Sequence, residues 1–160
     1  MPMKKLDAKR IWSLLETVSD PEIPALSVVD MGIVREIEWE GDELQVSITP
    51  TYSGCPAVTM IENEIVKMFR SEGVAASVRR VLSPPWTTEW LSEKGRRMLL
   101  ESGIAPPAGS VEIQLPGARI ACPFCASDDT EVISEFGSTA CKSLHRCRAC
   151  GSPFDYFKPL

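Results

Sequence analysis

Five of the six cysteines fall between Cys122 and Cys150. Four of them form two pairs, Cys122-Pro-Phe-Cys125 and Cys147-Arg-Ala-Cys150, with 21 residues between. Each pair predicts a tight knuckle that aims two sulfurs at one point. Two knuckles joined by a hairpin make a tetrahedral four-thiolate site. Such a site holds a structural zinc. Iron is the rival ion, since four thiolates accept either and the spacing does not decide. Glu131-Val-Ile-Ser-Glu-Phe-Gly reads as the strand and turn between the knuckles, and Lys142-Ser-Leu-His-Arg leads back. Cys141 and His145 lie in the same stretch. With four sulfurs filling a tetrahedron, both are expected behind the ligands rather than among them.

Cys55 stands alone, in Thr49-Pro-Thr-Tyr-Ser-Gly-Cys55-Pro56. Pro56 suits the first position of a helix, which makes Cys55 the expected N-cap. A thiol there would face free N–H groups and the positive end of the helix dipole. Its pKa should fall and its nucleophilicity and metal affinity rise. Thr49, Thr51 and Ser53 place hydroxyls near the sulfur. Upstream, Asp20-Pro21-Glu22 and Asp30-Met31-Gly32 put three carboxylates on turn-rich backbone. They would either share a metal with a thiolate or organise a loop; Asp20 before proline also reads as a plain helix stop. Trp86 and Trp90 form an i, i+4 aromatic pair, expected in packing or as an anchor for a protein partner.

The elements that must carry these groups follow from periodicity. Ile11, Leu14, Leu15 and Val18 predict an amphipathic helix over 7–19, capped by Asp7 and stopped at Asp20-Pro21. Alternation predicts strands from 28 to 39 and from 44 to 48 around the turn Glu40-Gly41-Asp42. Val58, Ile61, Ile65 and Met68 mark a second helix, ended by Gly73. A third strand runs over 74–82, and a helix follows over 88–101. The expected fold is α+β: a small mixed sheet of about three strands with helices in the order α-β-β-α-β-α, followed by a small zinc ribbon. The expected domains are 1–105, a turn-rich linker at 106–118, and the ribbon at 119–160. A ribbon of this size buries too little to fold unaided, and its metal would contribute on the order of 10 kcal/mol.

Composition narrows the function. The 160 residues carry a net charge of −5, and the isoelectric point is about 5.0. In 119–160, Arg119, Lys142, Arg146, Arg148 and Lys158 balance Asp128, Asp129, Glu131, Glu135 and Asp155. A neutral ribbon on an acidic chain speaks against nucleic acid as partner. No apolar run approaches a membrane span, and charges interrupt any signal-peptide core, so a cytoplasmic protein is expected. His145 is the only histidine, and there is no phosphate loop, nucleotide fingerprint or catalytic triad, so independent catalysis is disfavoured.

Asp20-Pro21-Glu22-Ile23-Pro24, then Asp30-Met31-Gly32-Ile33-Val34, then Thr49 to Pro56 resemble the metal–sulfur cluster assembly family, over roughly residues 7–105. The tail, with Ser138-Thr-Ala-Cys141-Lys-Ser-Leu-His-Arg-Cys147 and Pro153-Phe-Asp-Tyr-Phe-Lys158, resembles one branch of that family, found in phenylacetate degradation. The resemblance implies an accessory protein of a multicomponent di-iron oxygenase that converts phenylacetyl-CoA to its ring epoxide. It implies assembly or repair of an iron or iron–sulfur centre, with Asp20, Glu22, Asp30, Thr51 and Cys55 as the matching residues. Iron or a cluster would sit on Cys55 only in transit. The implied partners are the oxygenase and reductase components, or other iron–sulfur assembly proteins. One thiolate per chain holds a cluster poorly, so a homodimer or hetero-complex is expected. The rival reading is a structural adaptor subunit in which Cys55 is inert.

Overall fold

The computed structural model describes residues 4–52, 54–107 and 119–158. The chain forms two compact units. One holds the residues up to Trp86 together with Trp90–Ser92, and the other holds Thr87–Glu89 and the residues from Glu93 onward. Most of the expected linker (108–118) and Ser53 lie outside the described residues.

The first unit opens with helix α1 (Ala8–Leu15). Asp7 is its N-cap, accepting the Arg10 N–H at 2.7 Å. This supplies a partner for one of the donors a helix start leaves unpaired. Ile11, Leu14 and Leu15 form its buried stripe. The helix is shorter than expected. The N–H groups of Thr17 and Val18 close back on Leu14 and Leu15, a tight turn that ends it well before Asp20-Pro21. Asp20 lies instead in strand β1 (Ser19–Asp20), paired antiparallel with β2 (Ile23–Ser27). The strand expected to start at residue 28 starts later, as β3 (Val34–Glu40), because residues 27–33 fold into successive turns.

Strand β3 pairs antiparallel with β4 (Glu43–Ile48), and β4 pairs in parallel with β5 (Ala75–Arg80). A parallel return needs a crossover, and helix α2 (Val58–Ser71) provides it. Leu44, Val46 and Ile48 are fully buried on one face of the central strand, as are Ile65 and Phe69 of α2. The result is a small mixed α+β unit in the order α-β-β-β-β-α-β, with two short strands more than expected, and the third helix falls in the second unit.

In the second unit, α3 (Glu93–Glu101) precedes a four-stranded sheet in the order β6 (Ile104–Ala105), β9 (Pro153–Phe157), β8 (Lys142–Cys147), β7 (Thr130–Ser134). Strand β9 is an addition to the expected elements; it completes the ribbon by pairing with both β8 and β6. Among the described residues, one small hydrophobic cluster gathers Ala105, Ile120, Cys122, Cys147, Phe154 and Tyr156, and Phe157 is also fully buried.

Candidate metal centre and thiol site

The ribbon brings Cys122, Cys125, Cys147 and Cys150 together, with all four sulfurs within 4.8 Å of one another. Cys122 to Cys150 is 3.8 Å and Cys125 to Cys147 is 3.5 Å. A zinc–sulfur bond of about 2.3 Å implies a tetrahedron with edges of about 3.8 Å, so the spacing suits the ion. Each knuckle also aims a backbone N–H at its own first sulfur: Phe124 to Cys122 and Cys150 to Cys147, at 3.4 and 3.5 Å. Such donors stabilise thiolates. Hydrogen bonds from the Ser152 hydroxyl and backbone bring the Cys150 thiol down to about 6, while Cys125, against the pull of the Ser127 backbone, is pushed up to about 12 by the neighbouring sulfurs. These four residues would hold the ion, which would fix the two knuckles to each other and stabilise the fold.

Cys141 and His145 are not among the ligands. The Cys141 sulfur lies 3.0 Å from the Thr139 hydroxyl. Ser143, His145 and Cys147 alternate onto the buried face of β8. His145 stacks on Phe154 at 5.6 Å between centroids, meets Tyr156 edge-on, and lies 2.8 Å from the Ser143 hydroxyl. Burial lowers its pKa, so the ring is a neutral packing group.

In the first unit the charges of Glu22 and Asp20 are felt at Cys55, though among the described residues only the four ribbon cysteines bring their ligand atoms together closely enough to hold an ion. The Cys55 neighbourhood links the β1–β2 turn to the loop after β4. The backbone N–H of Glu22 donates to Asp20 Oδ1 at 2.8 Å and tightens that turn. The Cys55 sulfur accepts from the Ala57 N–H and the Tyr52 hydroxyl. Two expectations fail here. Cys55 is not the N-cap, because α2 begins at Val58 and its cap is Ala57, with Pro56 in the preceding turn. The thiol pKa is raised, not lowered. Burial pushes it up, and the charges of Glu22 and Asp20 push it further, against the pull of the Ala57 and Tyr52 donors. With 8% of its surface exposed, Cys55 is a buried, protonated thiol.

A pH profile tests this. Iodoacetamide should label Cys55 slowly at neutral pH, and the rate should still be climbing where the same residue in the denatured chain has levelled off. Peptide mapping by mass spectrometry separates it from the ribbon thiols. Stability follows the same sign. A thiol raised on folding contributes fully below its unfolded pKa, and that contribution is lost as pH rises through the folded one. An early plateau in the labelling rate would contradict the raised value.

Asp30 is engaged elsewhere. Its carboxylate accepts the Ser27 hydroxyl at 3.1 Å and the Ser92 hydroxyl at 2.7 Å, and its carbonyl accepts the Ser92 N–H at 2.9 Å. It therefore ties the turn at 27–33 to the Trp90–Ser92 segment. Trp90 stacks under the Arg35 guanidinium at 3.6 Å, and the Trp86 indole donates to the Met31 carbonyl at 2.8 Å. Thr51 is buried and lines a cleft beside Tyr52. Tyr52 and Ser152 are functional neighbours that spacing alone did not single out. The signal for Tyr52 is an aromatic hydroxyl three positions before the cysteine; for Ser152, a hydroxyl two positions after the last one.

Residues 8–79 match the family model of an iron-sulfur cluster assembly protein, and residues 106–158 match that of the PaaD zinc beta ribbon domain. An Escherichia coli (strain K12) protein, provisionally designated the D subunit of 1,2-phenylacetyl-CoA epoxidase, is 47% identical over 150 residues, spanning 92% of this chain and 90% of that protein. A solved domain of unknown function, DUF59, from Bacillus anthracis superimposes with a TM-score of 0.52 at 26% identity, covering 57% of this chain and 89% of its own. A conserved hypothetical protein from Thermotoga maritima does so with a TM-score of 0.50 at 31% identity, covering 59% and 94%. No described helix is long and apolar enough to cross a membrane.

Proposed function

Since this chain belongs to the family of the 1,2-phenylacetyl-CoA epoxidase D subunit, we propose that it is an accessory protein of phenylacetate degradation that assembles or repairs an iron or iron–sulfur centre of the epoxidase. The observation that carries this reading is the match of residues 8–79 to the iron-sulfur cluster assembly family, with Cys55 inside it and the charges of Glu22 and Asp20 felt at its sulfur. Two carboxylates raise the local cation concentration and disfavour a bare thiolate. An arriving iron ion, the cargo, reverses that balance: it takes the sulfur, and the proton leaves. The Ala57 N–H and Tyr52 hydroxyl are already aimed at the sulfur and stabilise the thiolate once it forms. The metal therefore gates the ionisation, and the thiol stays quiet between clients. A single sulfur leaves coordination positions for ligands of the client or of a second copy, which suits transfer better than storage.

Cys55→Ser should abolish the gain in iron content and activity that the protein gives to the purified, iron-depleted reductase or oxygenase component. Glu22→Gln should weaken iron binding by about ten- to hundredfold while leaving the thiol in place. Iron content measured by elemental analysis, unchanged in both variants, would remove Cys55 from the function.

The burial and raised pKa of Cys55 also support a second reading, an adaptor subunit of the oxygenase complex that never handles metal. Stoichiometric copurification with an oxygenase that is fully metal-loaded in its absence would favour the adaptor.

A further inference from the structure

We propose that the four-thiolate site is also a peroxide-sensitive modification site: hydrogen peroxide oxidises its two exposed sulfurs, Cys125 and Cys150, and each closes a disulfide with the buried sulfur of the opposite knuckle. This chemistry is independent of Cys55 and of the reading above.

The two knuckles are built alike. Each places its first cysteine inside and its second outside. Cys122 and Cys147 are 2% and 0% exposed and belong to the small hydrophobic cluster with Phe154 and Tyr156, whereas Cys125 and Cys150 are exposed. Bound zinc would keep all four sulfurs as thiolates. The thiolate is the form that an oxidant attacks, and susceptibility follows exposure. One half of the quartet is therefore open to a small oxidant, and the other half is shielded.

The shielded pair lies within reach of the open one. Cys150 is 3.8 Å from Cys122, and Cys125 is 3.5 Å from Cys147. Both contacts cross from one knuckle to the other. Each buried sulfur is held by its own knuckle, through the N–H of Phe124 on Cys122 and of Cys150 on Cys147. These bonds hold the sulfurs in place without help from an ion.

The steps balance. The Cys150 thiolate attacks one oxygen of the peroxide; an S–O bond forms, the O–O bond breaks and hydroxide leaves. The Cys122 thiolate then attacks the oxidised sulfur, the S–S bond forms and a second hydroxide leaves. Two thiolates have lost two electrons, and one peroxide has been reduced to two hydroxide ions. Cys125 and Cys147 repeat the sequence with a second peroxide. A quartet oxidised in this way offers no thiolate and no longer holds the ion. The two disulfides span 28 and 22 positions. They join the same two knuckles, so a covalent link replaces the metal link. Cys55 and Cys141 are buried, and the Cys141 sulfur is engaged with the Thr139 hydroxyl, so both should be spared.

The test treats the full-length, zinc-loaded protein with hydrogen peroxide, reading zinc release with a chromogenic chelator and cysteine states by peptide mapping. The expected result is loss of zinc together with Cys122–Cys150 and Cys125–Cys147 disulfides, with Cys55 and Cys141 still free. A thiol reductant and added zinc should restore the starting state. Cys125→His combined with Cys150→His keeps four metal-binding side chains and removes both exposed sulfurs. It should bind zinc and release it about tenfold more slowly, or slower still, under peroxide. If this variant fails to bind zinc, the wild-type mapping decides by itself. Disulfides within a knuckle overturn the proposal, as does oxidation of Cys55 or Cys141 ahead of Cys125 and Cys150. Zinc that stays bound under peroxide that oxidises free cysteine also overturns it, as do equal release rates in wild type and a zinc-binding variant.

Discussion

Cys147→Ser is expected to release the metal and unfold the C-terminal unit. Cys147 is fully buried and shares a small hydrophobic cluster with Cys122, Phe154 and Tyr156. A core of that size cannot offset the entropy of ordering four short strands. The bound ion supplies about 10–16 kcal/mol in small zinc modules, so losing one ligand removes the main source of stability. A buried serine hydroxyl facing three thiols adds a desolvation cost. The same outcome should follow treatment of the wild type with a strong chelator. Amide exchange over β8 and β9, together with limited proteolysis, checks both. Slow exchange there in metal-free protein would contradict the expectation.

Gly32→Ala is expected to cost the first unit about 3 kcal/mol or more, lowering its melting temperature by roughly 12–24 °C. Gly32 has φ +72°, where a side chain is already strained, and a Cβ built there lies 2.6 Å from the Trp90 Cβ and 2.9 Å from its carbonyl carbon. The nearest atom is the Trp90 carbonyl oxygen, which is backbone and cannot swing aside. Gly41 is the control. It has φ +62° and nothing within 4 Å, so alanine there should cost only the backbone strain of about 1–2 kcal/mol. Equal losses in calorimetry would show that the Trp90 contact contributes nothing.

Features written in local spacing are legible in the sequence. The two Cys-x-x-Cys pairs give the four ligands because two residues between sulfurs fix a knuckle whatever surrounds it. Asp7 gives the cap of α1 because a carboxylate before an amphipathic run needs only its own helix. The hairpin of β3 and β4 follows from alternation around Gly41. The misreadings concern groups set by distant chain. Cys55 looks like a cap with a lowered pKa, because nothing in its own segment shows the burial that raises it or the charges of Glu22 and Asp20 that add to that. Asp30 looks like a site carboxylate, yet its partner Ser92 lies 62 positions away. Trp86 and Trp90 are expected in packing or at a partner surface; the partners they find, the Met31 carbonyl for one and Arg35 for the other, lie more than 50 positions away and are not visible in their own segment. Proximity to Cys147 puts His145 beside the metal, but strand alternation carries it into the ribbon core.

The link from Asp30 to Ser92 has a bearing on synthesis. The turn that closes the N-terminal unit is held by residues made long after it, so a growing polypeptide cannot finish that unit until position 92 has left the ribosome. A fragment ended at residue 79, where the assembly-family match stops, would lack this fastening and be prey to proteases. One continued past Ser92 would keep it, and expression trials on truncated genes should divide at that point.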